Sequence, residues 1–200
     1  MSPRPYRLGK REEAVSQSRR RILDAARELL RASDAYTGFT VEAVARRADV
    51  ARATVYYQFG SKVALLEAVC DDLADAGGMV GLSRAFTSPT LEEAIRAYIS
   101  VFAGFWAADR LVMRRLRALA ALDPDVGEVI AARDQRRREG LTVLASRLPA
   151  GAALAREEAV QTLFALTSFE TFDALAGPDR ELADAVPAIT RLAEAALTTP

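Results

Sequence analysis

From residue 16 onward the apolar positions of this 200-residue chain recur three and four apart, the period of an amphipathic helix, and hardly any stretch alternates as a strand does. Residues 16–31 place Ile22, Ala25, Ala26, Leu29 and Leu30 on one face. Ser33-Asp34 and Gly38 interrupt that face, and Thr40 stands where it caps a short helix over 41–47. Asp49 makes a turn, a second short helix is predicted over 52–58, and Gly60 ends it. Ser61 caps a fourth helix carrying Leu65, Leu66 and Val69. Residues 1–15, Pro- and Arg-rich and without period, are expected to form a flexible basic arm.

A Gly-, Ser- and Pro-rich stretch, 77–89, reads as a loop and as the boundary between a first domain, 16–76, and a second, 77–200. Beyond it Thr90-Leu91-Glu92-Glu93 has the form of a capping box. Long helices are predicted over 91–107, 109–121, 125–147, 153–176 and 179–197, punctuated by Asp123-Pro124, Pro149-Gly151 and Gly177-Pro178. The fold class is therefore all-α, a small bundle followed by a larger one.

Composition changes that picture mainly by exclusion. The chain has no histidine, which removes Ser-His-Asp and Cys-His nucleophile systems and the common His-containing zinc sites. Neither a G-x-G-x-x-G nor a P-loop motif occurs, so no cofactor is expected. The pairs Glu92-Glu93 and Glu157-Glu158 stand at helix starts, where carboxylates complement the dipole. An enzyme is not expected. Cys70 is the single cysteine, no apolar run approaches a membrane span, and the N-terminal stretch lacks a signal-like apolar core, so the expected location is the cytoplasm.

Charge is uneven along the chain. Residues 1–62 carry 13 Lys or Arg against 7 Asp or Glu, a net of +6, and residues 63–200 carry 14 against 20, a net of −6. A basic end on an acidic body suits a polyanionic partner. The two short helices are spaced as a helix-turn-helix, with Val44, Ala48, Val50 and Val55 locking the pair and Ala45 small where the helices cross. In such a pair the second helix enters the DNA major groove. Arg52, Ala53, Thr54, Tyr57 and Gln58 then lie on its outer side, with Val55 and Phe59 inward. Arg reads guanine, Gln reads adenine, and Ala or the Thr methyl touches a thymine methyl. Tyr56 and Lys62 flank the helix end as phosphate clasps, and Ser61 opens a helix whose amides also suit a phosphate.

The run Thr54–Leu66 fits T-[VLI]-Y-x-x-F-x-[ST]-K-x-x-L-L and follows Thr40-x-x-x-x-Ala45 and the turn. It resembles the DNA-binding signature of TetR-type transcriptional regulators over about residues 16–69. The resemblance implies phosphate contacts at Tyr56, Lys62, Thr54 and Thr40, and base-facing positions at Arg52, Ala53, Tyr57 and Gln58. Asp49 departs from the glycine common in the turn. With 25 arginines and only two lysines in the chain, Lys62 stands where that family places lysine.

The same resemblance implies a three-helix DNA-binding domain followed by a larger helical domain that binds a small-molecule effector and forms a homodimer through its last two helices. From the residues themselves, Ala159, Leu163, Leu166, Ala174 and Leu175, and Leu182, Ala185, Ile189, Leu192 and Ala196, give each of those helices an apolar stripe that faces either a partner or its own core. Leu163 and Leu192 are expected at the dimer centre. Residues 94–108 hold a single charge and are expected to be buried centrally. Tyr98, Phe102, Phe105, Trp106 and Met113 either pack as core or line a ligand cavity, with Arg110, Arg114 or Glu170 near its mouth. Arg136-Arg137-Arg138 reads as a solvated helix face. The expected function is a repressor released from a palindromic operator by a largely apolar ligand. The alternatives are an architectural DNA binder and an α-helical enzyme.

Overall fold

The computed structural model describes the backbone of residues 5–32 and 39–198, and the side chains of 13–32 and 39–197. The expected break at Ser33-Asp34 and Gly38 lies outside those residues. The described elements are helical: α1 (Pro5–Arg31), α2 (Val41–Arg47), α3 (Arg52–Phe59), α4 (Lys62–Ala76), a 3-10 turn (Met79–Gly81), α5 (Leu82–Thr87) and α6 (Leu91–Ala107). There follow α7 (Arg110–Leu119), α8 (Pro124–Ala145), α9 (Arg156–Leu166), α10 (Phe169–Ala176), a second 3-10 turn (Leu182–Ala185) and α11 (Val186–Thr198). The chain is all-α, a helix-turn-helix domain followed by a larger helical one.

Two compact units form. The first takes the described residues up to Cys70 together with 115–129; the second takes 71–114 and 130 onward. The segment 115–129, which the sequence order placed in the second domain, clusters with the first unit. In the first unit α1 packs on α2, and α2 on α3. Ile22, Ala26, Leu30, Val44, Val55, Leu65, Leu66 and Val69 are buried there. Each large aliphatic side chain so removed from water contributes about 1.5–3 kcal/mol.

In the second unit α6 packs against α5, α10 and α11. The predicted capping box holds: Thr90 Oγ1 accepts from the Glu93 N–H at 3.2 Å, and Glu93 Oε2 from the Thr90 N–H at 3.4 Å. α6 buries Ile95, Tyr98, Ile99, Phe102, Phe105 and Trp106.

Four local expectations need correction. The arm expected over 1–15 is helical from Pro5, a residue whose fixed φ and missing N–H suit a first helical turn. The loop expected over 77–89 folds into the 3-10 turn and α5, with Ala85 buried. It must fold closely there, because a Cβ on Gly77 would lie 2.5 Å from the Phe105 Cα. The helix expected over 153–176 is two helices, since Thr167 ends α9 and Ser168 caps α10 by accepting from the Thr171 N–H. The last helix starts at Val186, after a 3-10 turn.

Candidate nucleic-acid interface

Thr40 opens the helix-turn-helix as expected of a cap: its Oγ1 accepts from the Ala43 N–H at 3.1 Å. Ala43, Val44 and Ala45 are buried in α2. The turn is carried by Asp49, whose φ of +52° is left-handed. That conformation returns the chain so that the Val50 N–H donates to the Ala45 carbonyl at 3.0 Å. Aspartate does here what glycine does at lower steric cost. α3 begins at Arg52, buries Val55, and ends where Gly60 takes φ +81° and donates to the Tyr56 carbonyl.

With Val55 inward, the outer side of α3 is open. Arg52, Ala53, Tyr56 and Tyr57 are exposed, Tyr57 at 81%, and Thr54 is half-buried. Arg52 is not idle. Its guanidinium pairs with Glu42 on α2 at 2.5 Å and donates to the Tyr56 hydroxyl at 3.2 Å. Gln58 departs from its expected outward aim: its side-chain N–H donates to the Val15 carbonyl of α1 at 3.4 Å, and its own carbonyl accepts from Arg19 at 3.2 Å. Arg19 also lies 4.3 Å above the half-buried Phe59 ring, so the end of α3 is fastened to α1.

Ser61 caps α4, its Oγ accepting from the Ala64 N–H at 3.0 Å. Lys62, expected to be a phosphate clasp, has company: its ammonium donates to Asp123 Oδ2 and lies 3.5 Å from an oxygen of Asp125. Burial works to raise the Asp123 carboxyl, but Lys62 and the N–H groups of Val126 and Asp125 hold it below the usual carboxylate range. The Asp123-Pro124 pair was legible in the sequence as a break between two helices. Its meeting with Lys62, 61 residues away, was not.

Residues 22–69 match the family model for bacterial regulatory proteins of the tetR family. The HTH-type transcriptional regulator AlkX of Mycobacterium tuberculosis is 33% identical over 112 residues, covering 54% of this chain and 51% of that protein. The helix-turn-helix segment, residues 22–69, is of the TetR type. The aligned part spans about half the length of that curated relative. Among solved structures, the TetR-family regulator PfmR from Thermus thermophilus superposes with a TM-score of 0.64 at 18% identity, covering 86% of this chain and 96% of that one. The regulator FadR from Bacillus subtilis, solved in complex with stearoyl-CoA, does so at 0.63 and 20%, covering 88% and 98%. At these identities the likeness is one of fold.

In the larger unit the residues considered for a ligand site fall into two sets. Tyr98, Phe102, Phe105, Trp106 and Met113 are all buried. The aromatic rings pack in a tilted or edge-on row that continues to Phe169, Tyr98 to Phe102 at 4.7 Å, Phe102 to Trp106 at 5.8 Å and Trp106 to Phe169 at 5.9 Å between centroids. Arg110 stands elsewhere: it pairs with Asp173 at 2.6 Å and donates to the Gly177 and Arg180 carbonyls, tying α7 to the end of α10. Arg114 joins the same carboxylate at 2.7 Å. Glu170 is exposed in the first turn of α10. Arg110 and Arg114 thus both meet the Asp173 carboxylate.

The sequence reading missed the group that does accompany the aromatic rings. Arg137, expected on a solvated face, is 4% exposed. Its guanidinium lies 3.8 Å from the Phe164 ring centroid and donates to the Phe164 carbonyl, to Thr167 Oγ1 and to Asp134. Its neighbours Arg136 and Arg138 carry the same letter, so composition gave no signal. Helical phase alone turns one of three arginines inward.

Proposed function

We propose that this chain is a dimeric, sequence-specific DNA-binding transcription regulator, a repressor released from a palindromic operator by a small, largely apolar effector. The observation that carries the reading is the open face of α3. Arg52, Ala53 and Tyr57 project from it immediately after a left-handed turn, backed by the buried Val55. A guanidinium, a methyl and a phenol in the major groove are sufficient to read bases, while Thr40, Ser61 and Lys62 at the helix starts, with Thr54 and Tyr56 within α3, are the candidates for phosphate contacts.

For the dimer, Leu182, Ala185 and Ile189 of the expected stripe are buried within the chain, and Leu192 of α11, 49% exposed, is the member that supports a partner surface. Leu163 does not belong to that surface, being 2% exposed within its own chain. For the effector, the aromatic row along α6 with the buried Arg137 beside it combines apolar rings with a placed polar group, the usual character of a ligand site. The stearoyl-CoA bound by the Bacillus relative suits the same character.

Selection from random duplexes, followed by footprinting, tests the reading. A specific regulator enriches a two-fold symmetric site and holds it at least about a thousandfold tighter than random DNA. Enrichment of no sequence, with uniform binding, replaces it with an architectural binder. Arg52→Ala is expected to weaken the selected site by about 1–3 kcal/mol and relax preference at one base pair.

A further inference from the structure

Lys62 is the first residue of α4, three residues after the end of α3, and its ammonium is directed at carboxylates of its own chain. Lys62 and Asp123 are each only 22% exposed, so the pair is partly withdrawn from the solvent screening that weakens surface ion pairs. Asp123 is not a loose partner. Its Oδ1 caps α8, accepting from the Asp125 N–H at 3.0 Å and the Val126 N–H at 3.4 Å, which leaves Oδ2 for Lys62. Pro124, first residue of α8, restricts the backbone between the two acids.

We propose that the Asp123-Pro124-Asp125 turn is an internal competitor for the DNA backbone: in DNA-free protein its two carboxylates occupy the Lys62 ammonium, and duplex DNA binds by taking that ammonium from them. This rests on the DNA-binding reading above and adds to it a built-in restraint on affinity. The chemistry is direct. A carboxylate oxygen and a phosphodiester oxygen are equivalent acceptors for an ammonium N–H. A phosphate approaching Lys62 also meets the like charges of Asp123 and Asp125, so these acids oppose it both by holding the donor and by repulsion. Any rearrangement that withdraws the turn leaves Lys62 to the phosphate.

The test uses the full chain and a random-sequence duplex, because a phosphate clasp acts on any DNA. Four proteins are compared by fluorescence anisotropy: wild type, Asp123→Asn/Asp125→Asn, Lys62→Met, and the triple variant. Asparagine keeps the acceptor that caps α8, so the fold is retained; Asp125→Asn alone, which leaves the cap untouched, is a second variant with a smaller expected gain. The double variant is expected to bind roughly fivefold tighter or more. In the Lys62→Met background the same two changes are expected to give a several-fold smaller gain. An equal gain in both backgrounds means bulk charge and overturns the proposal. Unchanged or weaker binding overturns it too, the latter showing that Asp123 positions Lys62 for DNA. If no variant binds any duplex, the DNA-binding reading itself fails.

A second readout is independent of DNA. The chain has only two lysines, Lys10 and Lys62, so reductive methylation followed by mass analysis reports Lys62 by peptide. Lys62 is expected to react several-fold more slowly in wild type than in the double variant, and equal rates overturn the proposal.

Discussion

The hydroxyl of Tyr98 donates to the backbone carbonyl of Arg137 across 3.0 Å, joining the middle of α6 to the middle of α8 inside the larger unit. Burial, eased by the Arg137 guanidinium, pushes the Tyr98 phenol well above its ordinary range, so it remains a neutral donor at any working pH. Two features that the sequence reading kept apart, an aromatic run and an arginine run, are thereby one cluster. Tyr98→Phe keeps the ring packing and deletes the bond, and is expected to lower stability by about 1 kcal/mol. Urea unfolding followed at Trp106, the single tryptophan, measures it. A cost near zero means that the Arg137 carbonyl is satisfied without Tyr98.

Asp49 holds the turn at φ +52°, a conformation in which most residues with a Cβ are strained. Asp49→Gly is expected to raise stability by about 0.5–1 kcal/mol, while Asp49→Val lowers it by about 1–2 kcal/mol. Thermal unfolding of the three proteins reads the order. An Asp49→Gly protein less stable than wild type points to a specific task for the carboxylate.

Gly77 and Gly104 are required by contact. A Cβ on Gly77 would stand 2.5 Å from the Phe105 Cα, and one on Gly104 would stand 2.8 Å from the Gly77 carbonyl oxygen. Backbone cannot swing aside as a side chain does, so Gly77→Ala is expected to cost about 1–3 kcal/mol. Gly151→Ala is a useful contrast, because it meets no atom within 4 Å and its penalty comes only from φ +86°. Equal effects of the two substitutions are the result that refutes the packing argument.

Asp173 should mark the acid limb of stability. Burial works to raise its carboxyl, but Arg114 and Arg110 hold it below the usual carboxylate range. A depressed folded value contributes stability above the ordinary carboxylate pKa of about 3.9, and that contribution is lost as pH falls through the folded value. Asp173→Asn is therefore expected to be less stable than wild type at pH 7, with the two converging as pH falls below about 4. Urea midpoints across that range decide it, and a constant difference at every pH removes Asp173 from the acid limb.

The helix-turn-helix was readable from the chain because its determinants are local. Thr40 caps three residues ahead, Asp49 tolerates a left-handed φ, Val55 is spaced to point inward, and Ser61 caps α4; each acts within a turn of helix. The capping box at Thr90 was legible for the same reason. What only the tertiary structure decided are choices between equivalent residues and distant partners. The phase of α8 alone selects Arg137 for burial over Arg136 and Arg138, and the break after Thr167 coincides with bonds to Thr167 from Trp106, 61 residues away, and from Arg137. Leu163 and Leu192 have the same side chain on neighbouring apolar stripes, yet one is core and the other is open. Lys62 carries a lysine's charge in any context, but whether that charge faces solvent or Asp123 depends on chain closure over 61 residues, which no local periodicity encodes.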